Sequence, residues 1–268
     1  MRDYHLHTKL CGHAHGEMED YVLMALERGL AEIGFSDHAP LYVTPKISVP
    51  VEKLSMRPKQ FALYVDEVHR LQDVYAGEIA IRLGMEADYT PENLTAFDLA
   101  DKYHVDYILG SIHYIDGWGF DQAEHAGQFD NYRIEDFYQL YIARVEEMVI
   151  SGLIDIVAHI DLPKRYGPEP KDRLTTYRPL LTAIAEAGLA VEINTSGIYK
   201  ATTSQPYPDP ALVAEAARLN IPFTMGSDAH VSEHVGRGLE HAISVLQGAG
   251  IEKIAAYESR KRQMVTMQ

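Results

Sequence analysis

Apolar residues recur along this chain with two alternating periods. Short apolar runs such as Ile154–Ile160 and Leu189–Asn194 read as buried strands. Between such runs, sets like Val22, Leu23, Leu26 and Leu30, or Phe61, Val65, Val68 and Leu71, fall on one face of a helix. The pattern predicts strands at Asp3–Thr8, Ile33–Ser36, Ile79–Ala87, Tyr107–Tyr114, Ile154–Ile160, Leu189–Asn194 and Pro222–Gly226. Helices are predicted at Glu19–Arg28, Pro58–Tyr75, from Pro91 onward, and at Ile134–Ser151, Leu174–Ala187, Pro210–Leu219 and Gly238–Gly248. Gly29, Gly77, Gly152 and Gly188 mark helix ends. Ala39–Arg57, with Pro40, Pro45 and Pro50, is expected to form an ordered loop or lid. Asp116–Arg133 reads as a polar insertion holding Trp118, and the chain is expected to close on a basic tail with Arg260, Lys261 and Arg262.

Strand and helix alternate seven times, which predicts an α/β fold with a parallel sheet. Seven units in 268 residues favour a closed or nearly closed barrel, read as a single domain over residues 1–268, over an open doubly wound sheet. No Gly-x-Gly-x-x-Gly turn follows the first strand, which removes the usual dinucleotide site.

Composition narrows the function. The apolar fraction of 46% and charged fraction of 24% are those of a soluble globular protein. No run of about 18 apolar residues predicts a membrane span, and Arg2, Asp3, His5 and His7 interrupt any signal-peptide core. The single cysteine, Cys11, excludes an internal disulfide and fits a reducing cytoplasm. A net charge of -15 argues against nucleic acid as a partner. It does not exclude an anionic substrate, because bound divalent cations reverse the local sign.

Thirteen histidines are many for this length, and their positions are telling. His5 and His7 alternate so that both point to one side of a strand. Alone, such a pair would be two polar residues on an exposed edge strand. In a β/α barrel, however, functional residues sit at the C-terminal strand ends. There the predicted strands place His5, His7, His38, Glu86, His113, His159, Asp228 and His230, with His13 in the loop after the first strand. These nine ligands exceed what one zinc takes and suit two or three ions. A carboxylate bridges cations where imidazole cannot, so Glu86 is the natural bridge. A mixed His/carboxylate set suits Zn²⁺, Fe²⁺ or Mn²⁺. Paired metals of that kind activate water for phosphoester hydrolysis.

The chain resembles the PHP (polymerase and histidinol phosphatase) family, most closely its histidinol-phosphatase branch. The motifs are His5-Leu-His7-Thr8, Ser36-Asp37-His38, Gly84-Met-Glu86, Gly110-Ser-Ile-His113 and Gly226-Ser-Asp228-Ala-His230. Ile115–Asp121, Ala158–Arg165 and Glu192–Gly197 look like segments of that branch. The resemblance implies a distorted (β/α)7 barrel with a trinuclear metal centre at the C-terminal ends of the strands. It assigns His5, His7, Glu86 and Asp228 to one ion, Glu86, His113 and His159 to a second, and His13, His38 and His230 to a third. The implied reaction is hydrolysis of L-histidinol phosphate in histidine biosynthesis, by attack of a metal-bridging hydroxide with two to three Zn, Fe or Mn ions.

In that reaction Asp228 binds metal and accepts a proton from the nucleophile. Lys164 and Arg165 are expected to grip phosphate oxygens, the bidentate Arg fork being the better suited. Asp161 is a candidate to protonate the leaving alkoxide, and Trp118 and Phe120 are candidates to face the cationic end of the substrate. His69, His104, His125, His234 and His241 read as surface residues, and Cys11 as packing. Other readings are a PHP phosphoesterase for a nucleotide or sugar phosphate, an amidohydrolase, and a non-catalytic metal-binding domain. The partner expected is a small phosphate monoester, with no nucleic acid and no membrane.

Overall fold

The computed structural model describes residues 1–41, 53–90, 93–199 and 204–267. Most of the expected lid, positions 42–52, and the predicted helix start at Pro91 lie outside the described residues. In chain order the elements are β1 (Arg2–Leu6), α1 (Met18–Glu27), β2 (Glu32–Phe35), α2 (Gln60–Val74), β3 (Ala80–Asp88), α3 (Asp98–Tyr103) and β4 (Tyr107–Ser111). A small hairpin, β5 (Tyr114–Ile115) and β6 (Trp118–Gly119), precedes α4 (Ile134–Ile150). Then come β7 (Ile156–Val157), α5 (Arg173–Ala187), β8 (Ala190–Asn194), α6 (Pro210–Arg218), β9 (Phe223–Gly226), α7 (Leu239–Gly248) and a last hairpin, β10 (Lys253–Glu258) and β11 (Lys261–Thr266).

Local chemistry sets these boundaries. Asp172 caps α5 by accepting from the Thr175 N–H, and Asp209 caps α6 with Pro210 in the first turn. Glu17 and Asp20 form a reciprocal capping box on α1. The buried face of α2 is Phe61, Tyr64, Val65, Val68 and Leu71, as its periodicity requires.

Seven strands form one sheet in the order β1-β2-β3-β4-β7-β8-β9, every pair parallel. The ends of the sheet meet: Leu6 bridges Ala229 in parallel, with the His7 N–H on Ala229 O at 3.0 Å and the Ala229 N–H on His5 O at 3.2 Å. The seam is clasped by buried Asp3, which accepts from Ser227 N (2.8 Å), Ser227 Oγ (2.5 Å) and Gly236 N (2.8 Å). The result is the nearly closed, distorted (β/α)7 barrel that the alternation predicts. β2, β4, β8 and β9 are buried throughout, as strands covered on both faces must be.

Three elements differ from the sequence reading. The fourth strand stops at Ser111 rather than Tyr114, and the polar insertion supplies its own hairpin. The fifth shrinks to Ile156–Val157 because His159 adopts a φ of 24° and gives its N–H to the Glu192 carboxylate. The expected basic tail is instead the β10–β11 hairpin. It plugs the N-terminal end of the barrel, where the Tyr257 N–H donates to Tyr4 Oη and Arg260 pairs with Asp155 at 2.9 Å. Inside that end, the Tyr107 ring fills space that any Cβ at Gly34 or Gly84 would take, and its hydroxyl donates to Tyr4 O at 2.7 Å.

Candidate active site

The other end of the barrel is open. A cavity of about 670 Å³ lies over the C-terminal strand ends. Its floor is organised around Glu86, which is 1% exposed at the end of β3. The two carboxylate oxygens face different groups. Oε2 lies 3.4 Å from His5 Nε2, 3.7 Å from His7 Nε2 and 3.0 Å from His38 Nδ1. Oε1 lies 3.0 Å from His159 Nε2 and 3.7 Å from His113 Nε2. Asp228, held at a φ of 53°, brings Oδ1 within 3.2 Å of His7 Nε2 and 3.4 Å of His230 Nδ1.

The polar atoms of the floor converge, and apart from the His159–Glu86 hydrogen bond several stay unsatisfied. His5 Nε2, His38 Nδ1 and Glu86 Oε2 are buried with no hydrogen-bond partner among the described residues. Buried lone pairs in that condition are costly unless something bonds them. Imidazole and carboxylate are the donor set a divalent cation of the zinc or manganese type takes. Five groups of three have ligand atoms within 4.8 Å of one another among the described residues: His5, His7 and Asp228; Glu86, His113 and His159; His7, His38 and His230; His38, Asp88 and His113; and His7, Cys11 and Asp37. The first two follow the grouping set out above. In the third, His7 takes the place expected for His13, which flanks it through ring contacts with His38 (5.3 Å) and His230 (4.8 Å).

Charge interactions agree with this geometry. Burial raises the Glu86 pKa, but His38, His5 and His113 around it hold it well below the ordinary carboxylate range. Burial likewise opposes charge on His5, yet Glu192 and Glu86 push its pKa up to about 10. Asp88 and Glu86 do the same for His113, also to about 10. His38 goes the other way, depressed by burial and by its cationic neighbours against the pull of Glu86.

Orienting carboxylates lie behind the floor, and the sequence reading did not single them out. Glu192 accepts from His5 Nδ1 at 2.6 Å and Asp88 from His113 Nδ1 at 2.9 Å, while Asp37 sits 3.5 Å from His7 Nδ1. Glu192 and Asp88 each engage one ring nitrogen and leave the other facing the floor, whereas His7 Nδ1 has no hydrogen-bond partner among the described residues. The signal was available, since Glu192 and Asp88 lie on strands near their C-terminal ends. Gly226 belongs to the same arrangement: a Cβ there would strike the Glu192 carboxylate and approach His5 Cβ at 2.5 Å.

Around the rim, Arg165 enters the cavity and pairs with Asp121 at 3.2 Å. Ser196 donates to Asp228 Oδ2 at 2.9 Å, and Tyr199, His234 and Arg237 also line the wall. His234 is exposed, as the sequence reading has it, and also lines the cavity mouth.

Four of the predicted substrate and proton-donor residues lie elsewhere. Lys164 is buried, with Nζ 2.7 Å from Asp161 Oδ2 and 2.8 Å from Pro206 O. Asp161 is buried by the same pairing and also accepts from the Asp209 N–H, so neither reaches the cavity. A buried cation and carboxylate must neutralise each other, which is why the pair turns inward. Trp118 stacks on Tyr132 at 5.5 Å and packs on Phe129 at 4.7 Å, with its N–H on His125 O; Phe120 is buried beside it. Cys11 is buried, donates to Thr8 O, and has its pKa raised by burial, so it is a packed thiol.

Comparison with known proteins adds lineage to this geometry. The model of the PHP domain matches residues 3–196, and that of the PHP-associated segment matches residues 213–240. A probable histidinol-phosphatase of Deinococcus radiodurans is 35% identical, over 97% of this chain and 98% of that protein. A histidinol-phosphatase of Bacillus subtilis is 29% identical, over 89% of this chain and 97% of its own length. The crystal structure of the Lactococcus lactis histidinol phosphate phosphatase, solved with zinc, L-histidinol and phosphate, superposes with a TM-score of 0.80. It is 23% identical and is covered at 98% of both chains.

Proposed function

The chain belongs to the PHP family, and on that premise we propose that it is a metal-dependent histidinol-phosphatase, hydrolysing L-histidinol phosphate to L-histidinol and phosphate. The observation that carries the chemistry is the two-sided Glu86 carboxylate, ringed by imidazoles of which His5 and His113 have their outer nitrogens already engaged by carboxylates. The substrate rests on the Deinococcus and Bacillus relatives, matched over nearly their whole lengths.

His5, His7, Glu86 and Asp228, then Glu86, His113 and His159, then His13, His38 and His230 are the residues that would hold two to three ions of Zn, Fe or Mn. Bound there, the ions would supply a nucleophile at neutral pH and neutralise phosphoryl charge. The remaining work belongs to side chains. Glu192 and Asp88 fix the ring orientation of His5 and His113. Asp228, steadied by Ser196 at Oδ2, is placed to accept a proton. Arg165, its guanidinium held by Asp121, is aimed to take phosphoryl oxygens in a bidentate grip. Asp161, buried against Lys164, is given no part in this reading.

Among the described residues no helix is long and apolar enough to cross a membrane. Residues 1–268 are proposed to act as one PHP-type metallophosphoesterase unit in the cytoplasm, on a small-molecule substrate rather than nucleic acid, in keeping with a net charge of -15.

The test is phosphate release from L-histidinol phosphate, set beside a panel of nucleotide and sugar phosphates, with metal content measured on the same protein. The expected kcat/KM for L-histidinol phosphate exceeds that for the panel by about 10³ or more, in the range of a physiological reaction. Equal, weak activity on the whole panel would reject the substrate but keep the hydrolytic centre. A protein inert after Zn²⁺ or Mn²⁺ addition would reject both.

A further inference from the structure

Arg237 is a cavity-lining arginine that no carboxylate pairs with among the described residues. Arg165 is neutralised by Asp121. The Arg237 guanidinium instead lies over the Tyr199 ring, its Cζ 3.5 Å from the centroid, with Nη1 3.1 Å from His234 Nε2. A guanidinium stacked on an aromatic face keeps N–H donors at its edge available, and stacking limits its rotamer freedom.

The backbone around Arg237 is built to support this placement. Gly236 and Gly238 flank it in left-handed conformations, with φ of 71° and 82°. Gly238 packs so closely on the platform that a Cβ there would lie 3.1 Å from both Thr195 Cβ and Tyr199 Oη. The Thr195 hydroxyl contacts Arg237 O at 2.6 Å and Gly226 O at 3.3 Å. Arg237 is thereby tied to the end of β9, the strand that delivers Asp228 to the floor.

We infer that Arg237 binds the phosphoryl group of the substrate, and that Tyr199 is the positioning residue that holds its guanidinium. The inference deepens the phosphatase reading above and rests on it for the identity of the substrate. With no carboxylate paired to it among the described residues, this cation on the cavity wall attracts the phosphate.

Arg237→Ala, Arg237→Lys, Tyr199→Ala and Tyr199→Phe, each loaded with metal, test this. The readouts are kcat and KM for L-histidinol phosphate, metal content, and the Kd of inorganic phosphate measured calorimetrically. Arg237→Ala is expected to raise KM and the phosphate Kd by about 30-fold, the worth of one charge-assisted hydrogen bond. Its kcat should change less than its KM, and its metal content should stay the same. Arg237→Lys should recover only part of the affinity, since it lacks the planar fork. Tyr199→Phe should match the parent, while Tyr199→Ala should lose affinity to a smaller degree than Arg237→Ala. A phosphate Kd within twofold of the parent in Arg237→Ala, or a loss of metal alongside the loss of phosphate affinity, would overturn the inference. If the parent binds inorganic phosphate but does not turn over L-histidinol phosphate, the substrate assignment fails, and the phosphate titration still decides the role of Arg237.

Discussion

The two ends of this barrel are made from the same seven strands and treat polar groups in opposite ways. At the N-terminal end the polar atoms of Tyr4, Tyr107, Asp155 and Arg260 are bonded to one another or to the plugging hairpin. At the C-terminal end His5 Nε2, His38 Nδ1 and Glu86 Oε2 are buried without hydrogen-bond partners among the described residues, on a backbone bent into positive φ at His159 and Asp228. Such placement costs stability and is kept where a bound ligand repays it. One end of the barrel is finished by the chain itself, and the other presents a donor set suited to divalent cations.

Variants at the two ends should therefore separate activity from stability. The largest effect is expected from Glu86→Gln, which keeps shape but removes the shared charge: kcat/KM should fall by more than about 10³, or about 4 kcal/mol of transition-state stabilisation. The unfolding midpoint of its metal-free form should stay near that of the metal-free parent. A variant that loses stability and keeps activity would reverse the assignment of the two ends.

Next comes Lys164→Met. Removing one partner of a buried pair leaves Asp161 uncompensated, and denaturant unfolding should show a loss of about 3 kcal/mol. KM for L-histidinol phosphate should stay within about twofold of the parent. A clear rise in KM without loss of stability would return Lys164 to the substrate site. Glu192→Gln should weaken metal binding by about 10- to 100-fold through the orientation of His5, read from competition with a chelator. Unchanged affinity would separate Glu192 from the site.

The smallest effect is at the plug. Arg260→Ala should cost about 1–2 kcal/mol at neutral pH and leave kcat unchanged. Burial already raises the Asp155 pKa, and Arg260 lowers it; without Arg260 it rises further. A carboxyl whose folded pKa is raised contributes full stability below its unfolded pKa and loses it as pH rises through the folded value. The deficit of the variant should therefore shrink as pH falls toward about 4. A deficit independent of pH would mean that the guanidinium acts by packing alone.

Much of this was legible in the sequence, for a physical reason. Parallel strands buried on both faces write themselves as apolar runs, and a residue just past each run lands on the catalytic rim. His5, Glu86 and Asp228 could thus be placed by counting. The terminal hairpin could not, because its two-residue turn is Ser259-Arg260, with φ of 49° and 60°, and lacks the Asn-Gly or Asp-Gly signature. That turn is held by tertiary contacts, with the Ser259 and Arg260 N–H groups both donating to Asp106. Lys164, Asp161 and Trp118 were misplaced for a related reason. Residue type tells what a side chain can bind, and only packing decides whether it meets the cavity or a neighbour such as Pro206 or Tyr132.

The Asp3 clasp has a consequence in time. Asp3 and Ser227 are 224 residues apart in the chain, and the loop between them closes only when the ninth strand docks beside the first. His5 and Asp228 lie on either side of that seam, so a nascent chain holds no complete centre until its last parallel strand has been made. Non-local closures of this length are slow steps in folding. Completion of the proposed metal centre thus becomes a late event in the birth of the molecule.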